Sequence, residues 1–165
     1  MTGHRPTIVI ATLAERPELV TEAVDIAWRE WGHSMPESER ERWLREAERD
    51  SRLHAPMSAA FVAVDAGCAV GVVQLHEFEI DAIRDRSPWV CGMVVRPEYR
   101  GMGVGRRLLA ALEQFVEENG IPQIWVFTED AQGAAGFYER CGWLRHGEAV
   151  EHGEPGVVLT RLLRV

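Results

Sequence analysis

The residues best suited to chemistry lie in one stretch, Val94-Val95-Arg96-Pro97-Glu98-Tyr99-Arg100-Gly101-Met102-Gly103-Val104-Gly105-Arg106-Arg107-Leu108-Leu109. Three alternating glycines precede an amphipathic run, so the stretch reads as a turn opening a helix. Such a turn presents free backbone N–H groups at the positive end of a helix dipole, and glycines let a ligand approach the main chain closely. This is an anion site, most simply a phosphate site. Two familiar phosphate loops fail by spacing. A Walker loop ends in Gly-Lys-Ser/Thr, whereas Gly105 is followed by Arg106 and Arg107; a dinucleotide fingerprint counted from Gly101 and Gly103 needs a third glycine where Arg106 stands.

The flanking elements must hold that turn. Upstream, Trp89 to Val95 is apolar almost throughout, as a strand covered on both faces would be, and Pro97 ends it. Downstream, Val104, Leu108, Leu109, Leu112, Phe115 and Val116 recur at helical spacing, and Gly120 and Pro122 stop the helix. Earlier, Thr7 to Leu13 reads as a first strand, and Arg16-Pro17 opens a helix with a broad apolar stripe from Leu19 to Trp31 that reads as core. Glu37 to Asp50 is a densely charged helix with a thin face of Trp43, Leu44 and Ala47. Ser58 to Val64 and Ala69 to Phe78 form a hairpin around Asp65-Ala66-Gly67. His76, Glu77, Glu79, Asp81 and Asp85 then cluster, a run that by itself reads as a wet loop. Gln123 to Thr128 is a further strand, Ala131 to Cys141 a short helix, and Leu144 to Ala149 with Gly156 to Leu163 a closing hairpin around His152 to Pro155.

With 165 residues, 46% hydrophobic and 27% charged, the chain is expected to be one domain over 1–165 with a sizeable core. No apolar run reaches the about 18 residues of a membrane span, and Met1 to Pro6 lacks the apolar region of a signal peptide; the cytoplasm is the expected compartment. Cys68, Cys91 and Cys141 are odd in number and far apart, which suggests neither a disulfide framework nor a zinc site, and no metal is expected. Cys91 reads as a small buried hydrophobe rather than a nucleophile. A net charge of −8 argues against nucleic acid or an anionic membrane as partner and suits a cationic substrate. Every one of the 18 basic residues is arginine, so no internal lysine is available for modification.

Arg100-Gly101-Met102-Gly103-Val104-Gly105 resembles the pyrophosphate motif of the GNAT superfamily of N-acetyltransferases, Gln/Arg-x-x-Gly-x-Gly/Ala, and the match extends back through Val95 to Tyr99. Phe137-Tyr138-Glu139-Arg140-Cys141-Gly142-Trp143 resembles the family's second signature. The resemblance is specific over roughly 85 to 165 and follows element order alone before that. It implies a single α/β domain with a mixed, mostly antiparallel central sheet flanked by helices. It also implies acetyl-coenzyme A as co-substrate, bound through Met93, Val94, Val95, Arg100, Gly101, Met102, Gly103, Val104, Gly105 and Arg106.

The implied reaction is direct acetyl transfer to a primary amine, on a small molecule or a peptide. It needs a deprotonated amine, a donor for the developing oxyanion and an acid for the departing thiolate. Tyr138 matches the family's acid, and a backbone amide on the central strand, at Val94 or its neighbour, matches the donor. The base has no obvious match: Trp89 and Val126 occupy positions where relatives often carry an acidic residue. Glu79 and Glu77 are the candidates, directly or through water, with Asp81 and His76 behind them. Ala131 departs from an asparagine that often bonds the coenzyme. By resemblance Trp28, Trp31, His33 and Trp43 lie near the acceptor. A non-catalytic acyl-coenzyme A sensor and transfer of a larger acyl group stay open, as does oligomeric state, a homodimer included.

Overall fold

The computed structural model describes residues 6–52, 55–129 and 133–165. Their strands form one seven-stranded sheet in the order β1-β2-β3-β4-β5-β7-β6, made of β1 Val9–Thr12, β2 Ala59–Asp65, β3 Cys68–His76, β4 Trp89–Val95, β5 Gln123–Thr128, β6 Leu144–Glu151 and β7 Glu154–Leu162. Every neighbouring pair is antiparallel except β4 and β5, which run parallel. A parallel pair cannot be joined by a tight turn, and here the crossover is the helix α3, Val104–Glu118.

Each face of the sheet is closed by a helix whose apolar stripe the sequence displays. On one face Leu108, Leu109, Leu112 and Val116 of α3 pack with Val73, Leu75, Val90, Ile124 and Leu159. The short helix α4, Ala134–Arg140, adds Ala135 and Tyr138 to the same core. On the other face α1, Val20–Trp31, buries Val20, Ala23 and Ile26 against Val62, Val64, Val72 and Val94. A 3-10 turn, Pro17–Leu19, leads into α1, because Pro17 starts a turn readily but the full α ladder begins only at Val20. The charged helix α2, Glu37–Asp50, buries no residue fully and leans on α1 through Leu44, Ala47 and an edge-on Trp28–Trp43 contact of 5.3 Å.

The β2–β3 turn is the two-residue Ala66-Gly67, both with positive φ, which matches the twist of the flanking strands. The last hairpin is longer than the sequence suggests. Its turn is His152-Gly153 alone, and Pro155 belongs to β7 opposite Val150. Proline is tolerated there because β7 pairs with β5 only from Val157 onward, so no ladder donor is lost on that side. Among the described residues no helix is long and apolar enough to cross a membrane.

Candidate active site

Trp89 and Val90 of β4 pair with Trp125 and Val126 of β5, and no later residue of β4 is paired with β5. Both strands nevertheless run on, to Val95 and Thr128, so a wedge opens between them from Cys91 onward. The opposite edge of β4 carries the cause. Gln74 stands opposite Cys91 and Val72 opposite Val94, which leaves Gly92 and Met93 facing the single residue Val73. This is a β-bulge, and Gly92 adopts the φ of +54° that it needs without the penalty of a Cβ. The extra residue resets the alternation. Trp89 and Cys91 point to one face, Met93 and Val95 lean on the α3 core, and Val94 packs under α1.

The wedge leads to the glycine turn. After β4, a 3-10 turn at Pro97–Tyr99 is tied down by Tyr99, whose hydroxyl donates to Asp65 at 3.0 Å. Arg100 folds back: its guanidinium donates to the Val95 carbonyl at 2.9 Å and to Glu30 of α1 at 3.0 Å. Its side chain therefore fixes the turn against strand and helix. Gly101 and Gly103 have φ of +75° and +78°, and a Cβ built on either meets no atom within 4 Å. Gly103 precedes α3 without any side-chain cap, and the first helical bond runs from the Arg107 N–H to the Gly103 carbonyl at 3.1 Å. The amides of Val104, Gly105 and Arg106 thus come ahead of the helical ladder, at the positive end of a helix fifteen residues long. An open cradle of amides without a covering side chain fits a pyrophosphate.

Tyr138 stands on the α3 side of the wedge. Its ring is 5% exposed, held edge-on between Phe137 and Trp143 at 5.3 Å each. Burial, helped by the nearby thiols of Cys91 and Cys141, pushes its phenol well above the ordinary value, so the hydroxyl keeps its proton. Trp143 is anchored in turn, donating from Nε1 to Glu113 of α3 at 2.8 Å, and Glu113 pairs with Arg161 at 3.2 Å.

Glu79 stands on the other side. The loop after β3 is pinned by Ile80, which is fully buried against Trp89, Cys91, Trp125 and Val158. That plug holds Glu79 beside His76, Oε2 to Nδ1 at 3.8 Å, and beside the Cys91 thiol. Burial acts to raise the Glu79 pKa, but the neighbouring His76 and Cys91 side chains outweigh it and leave the carboxyl below its ordinary value. Cys91 is pushed well above a normal thiol by burial and by the Glu79 charge, which keeps it protonated and agrees with its reading as a small buried group. Cys91 is the residue just past the last β4–β5 pair and is in electrostatic reach of both Glu79 and Tyr138.

The other candidates separate. Glu77 and Asp85 are exposed, and Asp81 is engaged by Arg84 in solvent. Trp28 covers Gly32, where a Cβ would lie 2.2 Å from its ring, so it serves packing; Trp31 and His33 are exposed. Trp89 is fully buried and donates to the Arg86 carbonyl at 2.8 Å, and Val126 is likewise core. Ala131 lies outside the described residues. Sequence reasoning did not join Cys91 to Glu79, nor Trp125 to its neighbours: Arg86 lies over the Trp125 ring at 4.9 Å and His146 meets it edge-on at 5.0 Å. Strand alternation carries the first signal, since Gln74 and His76 lie level with Cys91 and Trp89.

Residues 20–143, most of the chain, match the family described as the acetyltransferase (GNAT) family. The chain is a member of the GNAT acetyltransferase family. No curated protein sequence matches it. Solved structures of similar fold include an aminoglycoside 6'-N-acetyltransferase complexed with coenzyme A, 18% identical over 95% of this chain and 98% of the other, with a TM-score of 0.72. An aminoglycoside 6'-acetyltransferase type Ii is 21% identical over 95% and 98%, with a TM-score of 0.73. Ard1 from Thermoplasma volcanium is 17% identical over 96% and 99%, with a TM-score of 0.71. At these identities the likeness shows a shared fold. The GNAT chain therefore has the expected mixed sheet with flanking helices, and its bulged β4, wedge and glycine turn form one continuous feature.

Proposed function

We propose that this GNAT protein transfers an acetyl group from acetyl-coenzyme A to a primary amine by direct attack in a ternary complex. The observation that carries the reading is the end of β4–β5 pairing at Val90 and Val126, which opens a wedge leading to the uncapped amides of the Gly101–Arg106 turn. In this reading the amides from Gly101 to Arg106 hold the pyrophosphate. The backbone of Met93, Val94 and Val95 aligns the pantetheine, and a β4 amide near Val94 donates to the carbonyl oxygen as it gains charge. Glu79, ionised across the working range, attracts the ammonium form of the acceptor and takes its proton, directly or through a water. The amine nitrogen bonds to the acetyl carbon, the carbon–sulfur bond breaks, Tyr138 gives its phenolic proton to the leaving thiolate, and the second proton that the nitrogen sheds on becoming an amide returns through solvent to the Tyr138 phenolate.

The net charge of −8 favours a cationic acceptor, and two of the similar structures are enzymes named for aminoglycosides. An aminoglycoside-type sugar amine is therefore the first acceptor class to try, with polyamines and peptide amines beside it. The test is calorimetric titration with acetyl-coenzyme A and coenzyme A, followed by thiol release against that amine panel. Saturable binding with acceptor-dependent thiol release is the expected result. Binding without release across the whole panel would favour a sensor, and no binding of either coenzyme would overturn the assignment of the turn.

A further inference from the structure

Around Glu79 the fold brings together three side chains of a kind that bind transition metals. His76 ends β3, Glu79 follows on the loop pinned by Ile80, and Cys91 lies on β4; one donor atom from each falls within 4.8 Å of the other two. A tetrahedral zinc ion with bonds of about 2.0 to 2.3 Å sets its donors about 3.4 Å apart. The His76 Nδ1 to Glu79 Oε2 separation is already 3.8 Å, and the pairs with the Cys91 sulfur are within about 1.4 Å of ligand spacing.

We propose that His76 Nδ1, Glu79 Oε2 and Cys91 Sγ form a three-ligand site for one borderline-soft divalent cation, zinc by preference, with its fourth position open to water. Nitrogen, oxygen and sulfur donors together suit zinc and do not suit calcium or magnesium, which take oxygen sets. The surroundings match a site with one closed and one open side. Trp89, Trp125, Ile80 and Val158 form a dry wall behind Cys91, while His76 and Glu79, each with its side chain 39% exposed, leave a path for entry. On binding, the Cys91 thiol, which faces the Trp89 carbonyl at 3.4 Å, gives its proton to solvent as the sulfur–metal bond forms. No electron transfer is involved. If Glu79 is the base proposed above, an occupied site withdraws it from catalysis and the metal is a reversible inhibitor; that consequence rests on the functional reading, whereas binding does not.

The test is titration of the full-length, metal-free protein with cobalt(II), in the absence of coenzyme and acceptor, so that it succeeds or fails apart from the acetyltransferase assignment. Expected are one saturable equivalent, a thiolate-to-cobalt charge-transfer band in the near ultraviolet, and displacement by zinc but not by magnesium or calcium. Cys91→Ala should abolish the band and weaken zinc binding at least about tenfold, while Cys68→Ser with Cys141→Ser retains both. If Cys91→Ala fails to melt cooperatively, His76→Gln and Glu79→Gln, at half-exposed positions, give the same readout as loss of zinc affinity. No saturable binding at micromolar metal, or a band that survives Cys91→Ala, would overturn the proposal.

Discussion

Tyr138 shows how much of a role one side chain takes from its surroundings. A phenol that burial holds protonated carries its proton at any ordinary pH, and its packing between Phe137 and Trp143 leaves it little rotational freedom. Tyr138→Phe keeps both ring contacts and removes the proton. Steady-state kinetics should show kcat reduced on the order of a hundredfold or more, with calorimetric affinity for coenzyme A unchanged; an unaltered kcat at neutral pH would remove Tyr138 from the mechanism. On the proposed binding side the matching residue is Gly103. Alanine there costs about 1 to 2 kcal/mol in the left-handed conformation and puts a methyl into the open space beside the turn. Gly103→Ala should therefore weaken coenzyme A binding at least about tenfold by titration and leave far-ultraviolet circular dichroism unchanged.

At the scale of elements, the join between α3, α4 and β7 decides where Tyr138 stands. Trp143 donates to Glu113, Glu113 pairs with Arg161, and Arg161 donates to the Cys141 carbonyl at 2.7 Å, closing the end of α4 onto the long helix. Glu113→Ala leaves the Trp143 donor and the Arg161 charge without their carboxylate and should cost about 1 to 3 kcal/mol of stability in denaturant unfolding. Burial holds the Glu113 carboxyl above its ordinary value, with the Trp143 bond and the Arg161 charge only partly offsetting it. The folded chain then keeps that proton longer than the unfolded chain. Its contribution is full below the ordinary value of 4.5 and is lost as pH rises through the raised folded value. Glu113→Gln, which keeps an acceptor for Trp143, should gain in melting temperature relative to the parent as pH rises through that interval. Equal pH slopes for the two proteins would contradict this.

For the whole molecule, the wedge is a gap in the middle of the sheet rather than a pocket on its rim. A ligand lying between β4 and β5 and reaching the α3 turn bridges the two halves of the sheet, whose facing strands pair at only two residue positions. Coenzyme A at about a hundred times its Kd should add about 2.7 kcal/mol, equivalent to roughly 5 to 10 °C in melting temperature for a chain of this size. The same concentration should shift Gly103→Ala far less. An unchanged parent melting curve with saturating coenzyme would argue against binding in the wedge.

The sequence alone determined the local units, because their signals are local. The α3 stripe, the alternating glycines and the two signatures each fall within a short run of residues, so strand, turn, helix and family were all legible. Near element ends the reading slipped: Pro155 looked like a turn residue, yet it sits in β7 where no β5 partner needs its N–H. The base candidate was legible in part, since Glu79 and His76 are three residues apart. What tertiary structure alone decided is non-local. The wedge exists because a bulge at Gly92 and Met93 bends β4 away from a strand whose sequence follows only after α3, and Cys91 meets Glu79 only through the β3–β4 register and the Ile80 plug. Pairing partners are chosen by the packing of the whole chain, and no spacing along it records where two strands part.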